Sequence, residues 1–237
     1  MSSTALITGA SRGIGAATAK RFAEAGWNLQ LVARSADDLE STAQACRSHG
    51  VVVHTTCVDL SDPAAIPAAI AQLQQHGGTP EVVINNAGAG LTAPLAEVSL
   101  EQWQWLLQLN LTSVFQVCSA LLPALRAAGG GLIINISSHA ARNAFPGWGA
   151  YCTSKAALQA FSRCLAEDER SNGIRVSTLT LGAVNSPLWD TPTVQADFDR
   201  CAMLPLTRVA ETLLQMAQQP HQLLLEDITL MPAAGAL

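Results

Sequence analysis

Thr8-Gly9-Ala10-Ser11-Arg12-Gly13-Ile14-Gly15 joins a short apolar run, Thr4–Thr8, to a helical pattern, Ile14–Ala25. A glycine-rich strand-to-helix turn is where a dinucleotide pyrophosphate meets a helix N-terminus and its unpaired amides. Gly9 permits the sharp turn, Gly13 close backbone approach, and Gly15 tight packing of helix on strand. The spacing is G-x-x-x-G-x-G rather than the G-x-G-x-x-G of the general dinucleotide fingerprint. Gly9, Ser11, Arg12, Gly13, Ile14 and Gly15 are therefore the first candidate cofactor-binding residues.

Outward from this turn, β-rich runs alternate with longer helical patterns, which implies βαβ units and a parallel sheet. The expected strands are Thr4–Thr8, Asn28–Ala33, Val51–Val58, Val82–Asn85, Gly131–Ser137, Arg175–Leu181 and Leu223–Leu230. The expected helices are Ile14–Ala25, Ala36–His49, Pro63–Gln75, Leu100–Arg126, Tyr151–Arg170 and Thr207–Gln218. Ser35-x-x-Asp38 and Ser99-x-x-Gln102 have the form of capping boxes, and Pro123 is expected to kink or shorten its helix. The fold class is α/β: one doubly wound domain over residues 1–237, with a central seven-stranded parallel sheet flanked by helices on both faces. A chain of 237 residues buries one large core without a second domain.

Composition removes several classes. Net charge is −5 without a basic block, so neither nucleic acid nor an anionic membrane is an expected partner. No uninterrupted apolar run reaches spanning length, and the N-terminus lacks the basic region of a signal peptide, which points to the cytoplasm. The six cysteines show no C-x-x-C spacing and read as small buried hydrophobes in a reducing compartment. No His, Cys or carboxylate cluster has metal-ligand spacing, so no metal is expected. Asn110-Leu-Thr and Asn135-Ile-Ser match glycosylation sequons, but both lie in segments expected to be buried.

Two further positions carry chemistry. Tyr151 is the only tyrosine, and Lys155 follows it by one helical turn, so a phenol and an ammonium share one helix face. A fixed positive charge favours the phenolate and lowers the pKa of the phenol from about 10. At the end of the second strand, Ala33-Arg34-Ser35 lacks the acid that holds an NAD ribose 2′-hydroxyl. Arg34 and Arg12 instead suit a 2′-phosphate, which favours NADP(H) over NAD(H).

Taken together, the chain resembles the short-chain dehydrogenase/reductase family from Thr4 to about Leu188. The likeness rests on Thr8-Gly9-x-x-x-Gly13-Ile14-Gly15, Asp59-Leu60, Asn85-Asn86-Ala87-Gly88, Asn110, Ile136-Ser137-Ser138 and Tyr151-x-x-Ser154-Lys155. The resemblance implies a Rossmann-type fold and an oxidoreductase that interconverts a carbonyl and a primary or secondary alcohol. It implies that Tyr151 gives a proton to the carbonyl oxygen, that Ser138 hydrogen-bonds that oxygen, and that Lys155 holds the nicotinamide ribose and, with the cationic nicotinamide of the oxidised state, depresses the pKa of Tyr151. Asn110 would shape its helix and help hold a water leading from Lys155 to solvent. Asp59, beside Leu60, would contact the adenine, while Asn86, Ala87 and Gly88 let backbone approach the cofactor. Gly182, Val184 and Ser186 would meet the nicotinamide carboxamide. Leu181-Gly182 stands where the family commonly has Pro-Gly, which leaves that turn without a proline to stiffen it.

Ala89-Gly90-Leu91, Phe145, Trp148 and a substrate loop over about residues 187–206, including Trp189, are candidate pocket walls. Their apolar character suits a neutral, hydrophobic ketone or aldehyde. His139 adjoins Ser138 and faces away from it if strand alternation persists. Two other functions fit the motifs less well. A 3-oxoacyl thioester reductase serving an acyl-carrier protein needs a basic docking patch, for which Arg126, Arg163, Arg170 and Arg175 are available. A non-catalytic NADP(H) sensor does not need Ser138, Tyr151 and Lys155 together. The family likeness further implies a homodimer through the two long helices, or a homotetramer if the edge strand near the C-terminus at Leu237 pairs as well.

Overall fold

Seven strands form one parallel sheet in the order β3-β2-β1-β4-β5-β6-β7 in the computed structural model, which describes residues 3–196 and 198–235. They are β1 Thr4–Thr8, β2 Asn28–Ala33, β3 Val53–Cys57, β4 Val82–Asn85, β5 Gly131–Ser138, β6 Ile174–Leu181 and β7 Asp227–Leu230. The helices are α1 Gly13–Glu24, α2 Ala36–Arg47, α3 Ile66–Gly77, α4 Leu100–Leu107, α5 Ser113–Ala127, α6 Gly149–Glu169 and α7 Leu206–Ala217. The expected α/β, doubly wound Rossmann-type architecture is the one observed. Of the expected substrate loop, residue 197 lies outside the described residues, as do Met1, Ser2 and the last two residues of the chain.

The inner strands are nearly continuous apolar runs because both sheet faces are covered. Ile7, Leu29, Leu31 and Ile84 pack with Phe22 of α1 and Leu213 of α7 on one side. Leu6, Val83 and Ile133 pack with Ile70 of α3, Leu121 of α5 and Leu158 of α6 on the other. Between β4, β5 and α6 runs a buried polar chain. Asn85 Nδ2 donates to Asn135 Oδ1 at 2.9 Å, Asn135 Nδ2 to Ser162 Oγ at 2.8 Å, and Ser162 Oγ to the Leu158 carbonyl at 2.8 Å. Asn135 and Asn110 are both fully buried, so neither sequon is open to modification.

Several local expectations need correction. The Ser99 capping box forms, with bonds of 3.2 and 3.0 Å, whereas the Ser35 side chain makes no cap. Pro123 lies inside α5, which continues to Ala127. The helix is interrupted earlier, by a π-helical segment at Gln108–Thr112 that joins α4 to α5. The last strand begins at Asp227 rather than Leu223, and the guanidinium of Arg175 binds the Pro220 and Leu223 carbonyls in the preceding coil. Cys46 and Cys118 are buried as expected, but Cys57, Cys164 and Cys201 are exposed. Lastly, the helical stretch Leu100–Ala127, π segment included, spans 28 residues with a window of mean hydropathy 1.4, long and apolar enough to cross a membrane. Val114, Val117, Leu121 and Leu125 are instead buried in the core of this fold.

The asparagine chain yields a stability test. Replacing Asn135 with valine removes two buried hydrogen bonds and leaves the Asn85 amide only Cys118 Sγ at 3.5 Å, at an expected cost of about 2–3 kcal/mol. Urea unfolding measures it; a loss below about 0.5 kcal/mol shows that the network does not stabilise the fold.

Candidate active site

At the C-terminal ends of the strands, β1 and β4 send their connections to opposite faces, which opens a crevice at the switch in strand order. Thr8 and Asn86 hold its two lips together. The Asn86 and Ala87 N–H groups both donate to Thr8 Oγ1 at 3.0 Å, and Asn86 Nδ2 donates to the Thr8 carbonyl at 2.9 Å. Gly15 fits only without a side chain, since a Cβ there would lie 2.2 Å from the Gly9 carbonyl oxygen. The turn itself passes through Gly9 at φ +65° and Gly13 at φ +56°, where side chains are strained.

A groove of about 550 Å³ runs along this turn, lined by Gly9, Ser11, Arg12, Gly13, Arg34 and Asp59 among others. It lies at the N-terminus of α1, which carries no side-chain cap, so first-turn amides there suit an anion. Asp59 accepts from the Ser61 amide and hydroxyl at 2.9 and 2.7 Å. These bonds, with Arg34, hold its carboxyl below the usual range against the opposing effect of burial. The Arg34 side chain is 71% exposed and reaches Asp59 at 3.5 Å, a loose pair that leaves the guanidinium open to another anion. Ala87, Gly88 and Leu60 line the same groove, so the expected cofactor residues on these elements are brought together.

The groove shares Ile14, Asn86, Gly88, Ala89, Ser186 and Leu188 with a second chamber of about 400 Å³. Ser138, Tyr151 and Lys155 line that chamber, with Gly182 and Val184. Ser138 ends β5, and its Oγ accepts from the Ala140 amide at 3.2 Å. That bond opens a 3₁₀ turn at His139, which breaks strand alternation and turns His139 into the chamber, contrary to the alternation argument. Asn110 sits in the π segment. Its Oδ1 accepts from the Ala89 amide at 2.9 Å, and its Nδ2 donates to the Ala89 carbonyl at 2.9 Å and to Ser154 Oγ at 3.0 Å. Both amide protons are thus used to fix the loop after β4 against α6.

Lys155 is 6% exposed, and its Nζ donates to the Ile136 carbonyl at 3.0 Å while lying 5.9 Å from the Tyr151 ring centroid. Burial pushes this ammonium down to about 8. Burial likewise raises the Tyr151 phenol, with the neighbouring Ser138 hydroxyl acting in the opposite direction. The depression expected from the Y-x-x-x-K spacing is therefore absent in the protein alone. Desolvation disfavours the charged form of each group.

The turn after β6 is also firmer than its missing proline implies. The Gly182 amide bonds the Leu230 carbonyl, and the Leu204 amide bonds the Ala183 carbonyl, each at 2.9 Å. Sequence reasoning missed Ser137, a buried hydroxyl without a hydrogen-bond partner among the described residues, and Met231, both of which line the chamber. For Met231 a signal existed: residues just after a parallel strand border the crevice, and β7 ends at Leu230.

A doubly wound parallel sheet with a glycine turn at its switch point is an architecture of nucleotide-dependent enzymes. The short chain dehydrogenase family matches residues 3–196, and this chain belongs to that family of oxidoreductases. It is 34% identical to serine 3-dehydrogenase of Agrobacterium fabrum, covering 98% of this chain and 94% of the relative. It is 32% identical to sulfoacetaldehyde reductase 2 of Chromohalobacter salexigens, covering 100% and 96%. Among solved structures, the alcohol dehydrogenase from Thermococcus sibiricus complexed with 5-hydroxy-NADP superposes with a TM-score of 0.91 at 28% identity, over 100% and 99% of the two chains. L-sorbose reductase from Gluconobacter frateurii, complexed with NADPH and L-sorbose, gives 0.89 at 26% identity over 98% and 95%.

The buried lysine has a pH signature. An ammonium at about 8 in the fold and near 10.5 ordinarily makes the unfolded chain bind more protons between those values, so stability rises with pH there. Between pH 8 and 9.5 the protein is expected to gain about 1.5 kcal/mol relative to Lys155→Met. Denaturant titrations of both proteins at the two pH values check this, and parallel curves would refute the burial effect.

Proposed function

We propose that this chain is an NADP(H)-dependent oxidoreductase that interconverts a carbonyl and an alcohol. One observation carries the reading: a groove bearing Arg12, Arg34 and a glycine turn runs into a chamber that holds Ser138, Tyr151 and Lys155 together. The residues fit the cofactor. The uncapped turn at α1 receives the pyrophosphate, Arg12 and Arg34 a 2′-phosphate, and Asp59 the adenine. Gly182, Val184 and Ser186 lie beside the reacting end of the chamber, where they meet the carboxamide. When bound, the nicotinamide supplies or accepts the hydride.

The rest of the chemistry belongs to the side chains. Tyr151 donates its phenolic proton to the carbonyl oxygen while Ser138 hydrogen-bonds that oxygen. Burial keeps the phenol protonated at neutral pH, the form that carbonyl reduction requires. Lys155 keeps its ammonium under the phenol by bonding Ile136 and has two further donors for the ribose hydroxyls. Asn110 positions the loop after β4 through Ala89 and holds α6 through Ser154. The alternative of an acyl-carrier partner keeps little of its expected patch: Arg126 and Arg170 are paired with Glu169 and Glu167, Arg175 is bound to backbone, and the exposed Arg163 is left. Phe115, 53% exposed and in edge contact with Phe161 across α5 and α6, supports a homodimer through these helices. The exposed edge of β7 supports its pairing into a homotetramer, which light scattering reads directly.

NADPH oxidation across ketones, aldehydes, quinones and 3-oxoacyl thioesters tests the activity. Tyr151→Phe keeps the ring and removes the proton donor, so turnover is expected to fall at least about a hundredfold with cofactor affinity retained. Retention of more than about a tenth of kcat would falsify the assignment.

Cofactor choice is a separate test. Titration is expected to show NADPH bound at least about tenfold more tightly than NADH, or roughly 1.4 kcal/mol. Arg34→Asp is expected to reverse much of that difference, because a carboxylate repels the 2′-phosphate and accepts from a 2′-hydroxyl. Equal affinities in the unmutated protein would remove the argument.

A further inference from the structure

One wall of the chamber is built from rings in edge-to-face succession. Trp148 stands 5.4 Å from Tyr151 at 69°, Trp189 stands 5.9 Å from Trp148 at 68°, and Phe198 stands 5.3 Å from Trp189 at 86°. Each such contact sets the edge of one ring against the face of the next, the favoured quadrupole arrangement. Trp189 is held by its indole nitrogen, which donates to the Val184 carbonyl at 2.7 Å. That bond uses the only polar atom of the side chain, so the ring offers the chamber apolar surface alone.

Charge is as telling as shape. Among the described residues no Asp, Glu or Arg lines the chamber; the ionisable side chains there are His139, Tyr151 and Lys155. The Lys155 ammonium is buried against the Ile136 carbonyl. Arg200, the nearest guanidinium in this segment, is committed to Asn185 Oδ1 at 2.9 Å, Asp190 Oδ1 at 3.0 Å and the Ser186 carbonyl at 3.1 Å. A carboxylate or sulfonate on the substrate would lose its hydration here beside a single ammonium, Lys155, that is already bonded to the Ile136 carbonyl, which is unfavourable. Serine and sulfoacetaldehyde, for which two relatives are named, are compounds that carry full charges.

Resting on the carbonyl-reductase reading above, we propose that the substrate is a neutral carbonyl compound bearing a flat aromatic ring, and that Trp148 and Trp189 select it by stacking. The test compares kcat/KM for three methyl ketones of similar size: acetophenone, cyclohexyl methyl ketone and 4-acetylbenzoate. Acetophenone is expected to exceed the cyclohexyl ketone at least about tenfold, since only the aromatic ring gains from stacking, and the carboxylate at least about a hundredfold. Trp189→Ala is expected to bring the aromatic-to-cyclohexyl ratio near unity, and Trp189→Phe, which keeps a ring, to retain part of it. If Trp189→Ala fails to fold, Phe198→Ala is expected to lower the same ratio.

Equal use of 4-acetylbenzoate, or a ratio unmoved in the variants, overturns the inference. Quenching of tryptophan fluorescence by acetophenone separates it from the activity itself. Saturable quenching in a protein that reduces none of the three ketones keeps the aromatic site and sinks the reductase reading. Turnover of the cyclohexyl ketone with no saturable quenching by acetophenone sinks the aromatic site and keeps the reductase.

Discussion

Everything at the active end of this molecule hangs on the stitch between Thr8 and Asn86. A parallel sheet that reverses its winding direction must part at the junction of β1 and β4, and a crevice there exposes strand-end amides and carbonyls. In this chain one threonine hydroxyl accepts from two successive amides, and one asparagine side chain caps carbonyls on the opposite lip. The crevice therefore stays open without leaving those groups unpaired, a condition buried backbone must meet. Gly15 tightens the same junction by admitting the Gly9 carbonyl where a Cβ would stand. The groove inherits its position from these contacts, and the chamber inherits its position from the groove.

Burial then decides the electrostatics. Side-chain spacing on α6 brings an ammonium near a phenol, and in water that would favour the phenolate. Both groups instead sit where desolvation dominates, so the lysine is pushed down and the tyrosine up. The pair is biased toward its neutral forms and toward giving a proton rather than taking one. A site of this kind becomes a better base only when a further positive charge enters the low-dielectric chamber, where each charge acts more strongly than in water.

The parts legible in the sequence are those where a short-range rule coincides with a long-range need. The glycine turn, the apolar inner strands and the capping box at Ser99 are local signals that packing reinforces. The π-helical segment at Gln108–Thr112 was not legible, because its cause is distant: Asn110 must reach Ala89 after β4 and Ser154 on α6 at once. Ser35 failed as a cap although its spacing was right, since a side chain caps only if the incoming backbone aims it at the helix. His139 was misplaced because a hydrogen bond from Ala140 to Ser138 ended the alternation one residue earlier than a strand pattern implies.

The segment over residues 187–206 shows why fold and specificity separate. It is held by the Trp189 indole on the Val184 carbonyl and by backbone bonds from the Leu204 amide to the Ala183 carbonyl and from the Thr92 amide to the Thr193 carbonyl. Between those anchors no sheet or long helix dictates the side chains, so rings can gather there without disturbing the crevice. Arg200 adds a constraint of its own, because a guanidinium spent on Asn185, Asp190 and Ser186 stiffens the segment and is withdrawn from the chamber. A residue type that elsewhere recognises anions is here spent on holding the segment together. The identity of a side chain in this segment therefore says less about the substrate than the partners to which that side chain is already committed.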